Sequence, residues 1–164
     1  MSNSSFNFQA VTANPAWKIG IVKSKWNHEI VNMLASEVVK HLEASGIKLI
    51  EIFEVPGSWE LIAGAQKLIS QCDLIIPLGV VIRGETTHYE LISETVTQGL
   101  MDLMIKNDKP VIMGLLATEN EEQALKRANP DQLNKGKEFA QSALEILALR
   151  NNQWPKTSQS IRSL

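Results

Sequence analysis

The chain has 164 residues, of which 44% are hydrophobic and 21% are charged. This is the composition of an ordinary globular domain, and it excludes disordered and fibrous chains. The formal net charge of -2 leaves no basic excess to neutralise a nucleic-acid backbone, so we expect no nucleic-acid partner and expect any bound phosphate to be held by a few local groups.

Residues 1–16 are predicted to form a flexible N-terminal arm. The opening residues are polar and lack the basic lead-in and apolar core of an export signal. No apolar run in the sequence reaches the roughly 20 residues of a membrane-spanning helix. Cys72 has no second cysteine to pair with and no cluster of histidines at metal-ligand spacing. We therefore expect a cytoplasmic protein with no membrane association and no metal site.

From Trp17 onward, short β-branched runs alternate with longer segments whose apolar residues recur at helical spacing. The first strand is predicted at residues 19–22. The helix that follows is predicted to be capped by the side chain of Asn27. A second strand is predicted at residues 49–55, and the turn at residues 56–58 leads into a second helix.

The run at residues 74–82 is almost wholly apolar, as a strand buried on both faces requires. A polar loop at residues 83–87 follows it. Helical spacing then predicts a long helix that ends near Asn107, shortly before Pro110. The fourth strand is predicted at residues 111–117.

Thr118 and Glu121 fit a capping box, in which Thr118 caps a short helix and Glu121 reaches back to the cap. This helix is predicted to end near Ala128, and a last helix follows the break at Pro130. Residues 151–164 lose periodicity and are predicted to be a mobile tail. Together the elements predict one α/β domain at residues 17–150, a three-layer α/β/α sandwich around a four-stranded parallel sheet.

Ligands of open parallel sheets bind beyond the carboxyl ends of the strands, where loops and helix N-termini converge. Four segments are predicted to lie there, namely residues 25–27, 55–60, 80–88 and 113–118.

The segment from Gly84 to His88 opens a helix, so its free backbone amides and the helix dipole favour an anion such as phosphate. The alternative is that Thr86 or Thr87 merely caps the helix. The dipole opposes a positive charge on His88, which favours a neutral imidazole able to accept a proton. A purely structural histidine is the alternative.

Other candidates are equally open when considered singly. Trp26 at the end of a strand offers a flat face for a heterocycle, or is ordinary packing. Glu60 is expected in the first turn of its helix, where its carboxylate is favoured by the dipole and can also accept hydrogen bonds from a polyol. Arg127 and Lys135 flank the break at Pro130 and can be functional or simply solvated.

The joint occurrence of these segments in one order resembles the lumazine synthase family. The resemblance covers residues 17–150, and the Arg-Gly-Glu-Thr-Thr-His run is its most specific part. The matching segments are residues 55–60, 79–89, 122–128 and 134–136.

The resemblance implies a flavodoxin-like fold and a transferase of riboflavin biosynthesis. Such an enzyme condenses 5-amino-6-(D-ribitylamino)uracil with 3,4-dihydroxy-2-butanone 4-phosphate to 6,7-dimethyl-8-ribityllumazine, releasing phosphate and water. It uses no cofactor. The resemblance further implies a homopentamer whose active sites are shared between neighbouring subunits, with riboflavin synthase as a further candidate partner.

Carried over by position, the resemblance assigns proton transfer to His88 and cationic catalytic contacts to Arg127 and Lys135. It places Trp26 on the pyrimidine ring and the ribityl chain on Ser58 and Glu60. It places the phosphate on residues 84–86 together with Arg127. The implied substrate-binding residues are Trp26, Asn27, Ser58, Trp59, Glu60, Val80, Val81, Ile82, Gly84, Glu85, Thr86 and Met113.

The chain departs from the family pattern at three places. Trp26 and Met113 stand where the family usually has Phe, and residues 129–132 replace a linker with Gly and Lys found in members that form sixty-subunit shells. We therefore expect a ring rather than a shell.

Two rival functions remain, a related pentameric riboflavin synthase and a non-catalytic flavin- or lumazine-binding or shell-forming protein. The intact segment from Gly84 to His88 argues against the first, which has no phosphorylated substrate.

Overall fold

The computed structural model describes Phe8 and residues 11–151. Most of the predicted arm and all but the first residue of the predicted tail lie outside this part of the chain. Within it, strands and helices follow one another as β1 Lys18–Ser24, α1 His28–Ala44, β2 Leu49–Val55, α2 Leu61–Leu68, β3 Leu74–Ile82, α3 His88–Asn107, β4 Gly114–Thr118, α4 Glu121–Ala128 and α5 Lys135–Arg150.

The four strands form one sheet in the order β2-β1-β3-β4, and every neighbouring pair is parallel. The chain passes from β1 outward to β2 and then returns to the other side of β1 for β3. The carboxyl ends of all four strands therefore lie at one edge, and β1 and β3 meet where the strand order reverses. This confirms the predicted α/β sandwich.

Two hydrophobic cores cover the two faces of the sheet. Helices α1, α4 and α5 enclose one core, and α2 and α3 enclose the other. Successive residues of β3 serve opposite cores, with Leu74 and Ile76 on the first side and Ile75 on the second. All three side chains are fully buried, which confirms the prediction for the apolar run.

Strand β4 begins at Gly114, three residues later than the predicted start, so the predicted bounds were wrong. Before that point, Val111 makes only an isolated bridge to Ile75. Pro77 explains the gap. Residues 75 and 77 face the same neighbouring strand, and Pro77 has no N–H to donate to it. Pairing resumes only when Leu78 meets Gly114.

The predicted capping box at Thr118 and Glu121 was also wrong. Thr118 is the last residue of β4, and its hydroxyl donates to the carbonyl of Asn120 at 3.0 Å. Asn120 is the actual cap, because its Oδ1 accepts from the amide of Gln123 at 2.9 Å. Gln123 in turn accepts from the amide of Glu119 at 3.2 Å. The capping residue lies two positions later than predicted because Thr118 still belongs to β4.

The two predicted helix ends agree with the structure, since α3 ends at Asn107 and α4 at Ala128. None of the helices in the described ranges is long and apolar enough to cross a lipid bilayer.

Candidate active site

A cavity of about 660 Å³ opens at the carboxyl edge of the sheet. It lies between the ends of β1, β2 and β3 and the first turns of α2 and α3. Its lining residues are Trp26, Asn27, Gly57, Ser58, Trp59, Glu60, Val80, Val81, Ile82, His88 and Ile92. Gly57 and Ile92 were not predicted from the sequence, and the others were.

Asn27 joins two sides of this cavity. Its backbone is left-handed, with φ 56°, and its side chain makes no capping bond to α1. The predicted side-chain cap was therefore wrong, although the residue does occupy the N-cap position. Instead, Nδ2 donates to the carbonyl of Val80 at 3.0 Å. Asn27 thus ties the end of β1 to β3 at the point where the strand order reverses.

Trp26 is held at the mouth of the cavity. Its amide donates to the carbonyl of Pro56 at 3.3 Å, and its side chain is 74% exposed. An indole this exposed is not part of the hydrophobic core of the described chain. Trp59, on the neighbouring loop, is 53% exposed.

The turn after β2 presents a carboxylate. Glu60 occupies the N-cap position of α2 rather than its first turn, which corrects the prediction. Its Oε2 accepts from the amide of Gly57 at 2.9 Å. A Cβ at Gly57 would lie 3.1 Å from that oxygen and 3.3 Å from the Trp26 ring. The missing side chain at Gly57 therefore lets the carboxylate and the indole approach each other.

The segment from Gly84 to His88 is exposed throughout. His88 is the first residue of α3 and lines the cavity. Thr87 makes no side-chain capping bond, and the hydroxyl of Thr86 accepts from the amide of His88 at 3.4 Å. The capping alternative therefore rests on this one long bond from Thr86. Gly84, Glu85 and Thr86 are not among the described residues that line the cavity.

Three other predicted residues also lie outside the lining of this cavity. Met113 is exposed just before β4. Arg127, in the last turn of α4, donates to the carbonyl of Gln123 at 3.0 Å. Lys135 begins α5, and its Nζ is 2.5 Å from a carboxylate oxygen of Glu138. The fold does not bring these side chains together with His88 in one cavity.

Arg83 is a residue that the sequence reasoning missed. Its Nε lies 2.7 Å from Oε2 of Glu119, and its Nη1 contacts Oε1 of Glu90. Its guanidinium also lies over the Tyr89 ring, 4.1 Å from the ring centre. The hydrogen bond from Arg83 lowers the pKa of Glu90, and the two carboxylates raise the pKa of Arg83. Its position immediately before Gly84 is the sequence feature that could have identified it as part of the site.

Comparison with known proteins adds a consistent result. The family model of 6,7-dimethyl-8-ribityllumazine synthase matches residues 16–151. Among curated proteins of that name, the one from Bdellovibrio bacteriovorus is 44% identical over 135 residues, covering 80% of this chain and 74% of the relative. The one from Flavobacterium psychrophilum is 42% identical over 138 residues, covering 82% and 73%. The one from Cytophaga hutchinsonii is 44% identical over 133 residues, covering 79% and 84%.

Proposed function

The chain belongs to the 6,7-dimethyl-8-ribityllumazine synthase family, and from that membership we propose how its cavity performs the reaction. The protein is an enzyme, a transferase of riboflavin biosynthesis. It condenses 5-amino-6-(D-ribitylamino)uracil with 3,4-dihydroxy-2-butanone 4-phosphate. The observation that supports the site is the convergence of an exposed indole, a held carboxylate and an exposed imidazole on one cavity.

The pyrimidine binds against Trp26. An exposed indole offers its face to a flat heterocycle, and such stacking contributes about 0.5–1.5 kcal/mol beyond area burial. Trp59 adds a second exposed ring at the same mouth. The backbone of Val81 and Ile82, at the end of β3, meets the polar edge of the pyrimidine. Asn27 supports this arrangement by holding the carbonyl of Val80.

The ribityl chain lies along the turn after β2. Glu60 uses Oε2 to accept from Gly57, which leaves Oε1 for a polyol hydroxyl. Ser58 is buried beside it and lines the same cavity. A buried hydroxyl and a fixed carboxylate select a hydroxylated chain over an apolar one, because an apolar chain offers no partner to the Ser58 hydroxyl or to Oε1 of Glu60.

The phosphate of the second substrate binds at Gly84, Glu85 and Thr86. These residues precede the 20-residue helix α3, whose first amides and dipole favour an anion. Arg127 of a neighbouring subunit supplies the charge-assisted contact. Its guanidinium makes only a helix-internal bond in the described chain and has further donors available.

The chemistry needs positioning more than activation. The 5-amino group of the pyrimidine attacks the ketone to form an imine with loss of one water, phosphate is then eliminated, and ring closure with loss of a second water completes the product. Holding two substrates in register contributes about 7–11 kcal/mol of the barrier reduction. Proton transfer through His88 contributes about 10²–10⁴-fold.

We propose a homopentamer with shared sites. Met113, Arg127 and Lys135 lie outside their own subunit's cavity, which supports their reaching a neighbour's. Leu91 and Ile105 are 60% and 67% exposed, a degree of exposed apolar surface that supports contact between copies. The assembly stops at the pentamer or a pair of pentamers, because Pro130 restricts the linker between α4 and α5. The compartment is the cytoplasm.

Turnover tests the activity. The purified protein and both substrates are expected to give lumazine absorbance and stoichiometric phosphate release. A protein that binds riboflavin but releases no phosphate from the two precursors is a carrier, and the catalytic proposal fails.

Mixed rings test the shared site. Subunits carrying His88→Ala and subunits carrying Arg127→Ala are each impaired alone. Dissociated and reassembled together, they are expected to regain activity, because some interfaces then pair an intact His88 with an intact Arg127. Mixtures no more active than the average of the two variants contradict a shared site. Light scattering reports the assembly, and sixty-subunit particles contradict the linker argument.

A further inference from the structure

Arg83 contacts three separate parts of the fold at the edge of the candidate site. Its backbone amide donates to the carbonyl of Thr118 at 2.9 Å, which anchors it to the end of β4. Its side chain reaches Glu119 in the loop before α4 and Glu90 in the first turn of α3. The guanidinium also stacks on Tyr89. One side chain therefore holds α3 to the β4–α4 loop.

These contacts close a loop. Arg83 directly precedes Gly84, and its partners Tyr89 and Glu90 directly follow His88. Both ends of the segment from Gly84 to His88 are thus held by the same residue. The segment between these ends is exposed, and a Cβ added at Gly84 would meet no atom within 4 Å.

The charge on Arg83 is already satisfied. Two carboxylates share it, so the guanidinium is a poor partner for a further anion. A direct phosphate ligand would instead be expected to carry a positive charge that no neighbouring carboxylate compensates.

We infer that Arg83 is a positioning residue, which fixes the phosphate-binding segment and His88 through its clamp on Glu90 and Glu119. The inference rests on the proposed function for the identity of the anion, but the clamp itself depends only on the contacts above.

Arg83→Gln tests whether Arg83 matters for phosphate binding, and Glu90→Gln separates a clamp from a direct ligand, because the two roles predict changes of opposite sign in KM for this second variant. Arg83→Gln is expected to raise KM for the butanone phosphate about ten- to a hundredfold, the size of effect that misplaced binding groups produce. Glu90→Gln keeps Arg83 but weakens its hold on α3. If Arg83 acts as a clamp, Glu90→Gln also raises this KM. If Arg83 binds phosphate directly, Glu90→Gln releases it toward the anion and lowers KM, which overturns the inference.

The control is Arg150→Gln, which breaks the exposed pair with Asp108 at the other end of α3. It is expected to leave both KM values within about twofold of the parent, as surface pairs contribute little. KM for the pyrimidine should change far less than KM for the phosphate substrate in both test variants. Circular dichroism and thermal unfolding establish that each variant is folded, and Glu119→Gln replaces any variant that is not.

The affinity of the intact protein for inorganic phosphate, measured by calorimetry, tests the clamp independently of turnover. Both clamp variants are expected to weaken it, and Arg150→Gln to leave it unchanged. If the parent shows no turnover but phosphate binding is weakened in the clamp variants and unchanged in Arg150→Gln, the proposed function is rejected and the clamp is retained. Turnover in the parent with unchanged phosphate affinity and unchanged KM in Arg83→Gln rejects the clamp and keeps the function.

Discussion

Asn27 combines two features whose energies can be separated by substitution. Its backbone is left-handed, with φ 56°, and its side chain donates to the Val80 carbonyl at 3.0 Å. Ala is strained at such a φ by about 1–2 kcal/mol. Loss of the hydrogen bond costs about 1 kcal/mol more. Asn27→Ala is therefore expected to lower the free energy of unfolding by about 2–3 kcal/mol.

Asn27→Gly isolates the hydrogen bond. Glycine adopts the left-handed backbone without strain, but it adds about 0.4–1 kcal/mol of unfolded-state entropy. The expected loss is about 1.5–2 kcal/mol, so the glycine variant is the more stable of the two. Both variants should raise KM for the pyrimidine, because the Val80 carbonyl is no longer held at the cavity wall.

Urea denaturation at one protein concentration measures both variants, since association makes apparent stability depend on concentration. The matched control is Asn32→Ala. Asn32 is an exposed residue of α1 whose side-chain oxygen accepts from Lys23, and its replacement should change stability by less than about 0.5 kcal/mol. An alanine variant as stable as the glycine variant refutes the backbone argument. A glycine variant as stable as the parent refutes the hydrogen-bond argument.

Three further predictions concern catalysis and pH. Arg127→Ala is expected to raise KM for the butanone phosphate about ten- to a hundredfold with little effect on the pyrimidine, and steady-state kinetics showing equal changes for both substrates would contradict it. His88→Ala should slow turnover about 10–10³-fold without abolishing it, since positioning dominates the rate; complete loss in a folded variant would imply a different role. The hydrogen bond from Asn134 lowers the pKa of the buried Glu37 carboxyl. The stability contributed by the ionised carboxylate is therefore present above its unfolded-state pKa near 4.5 and is lost as pH falls through the lower folded-state pKa. The Glu37→Gln variant should accordingly lose less stability than the parent over that acid range when both are measured by thermal unfolding, and parallel plots of stability against pH would refute the assignment.

Local pattern was enough to predict the elements of this protein. The apolar run of β3 and the helical spacing of α3 are properties of neighbouring residues, and each indicates the type of element directly. The rule that parallel sheets bind ligands at their carboxyl ends then selected Trp26, Glu60 and His88 before any contact was known. The structure places all three on one cavity.

Contacts between distant segments were decided only by the tertiary structure. Asn27 fits a local cap by residue type, but Val80, 53 positions away, offers a carbonyl and takes its side chain instead. The late start of β4 depends on Pro77 lying opposite that strand, which local periodicity cannot reveal. Arg83 likewise has partners up to 36 positions away. A side chain's hydrogen-bonding capacity is encoded in its residue type, whereas the partner that uses it depends on how the whole chain folds.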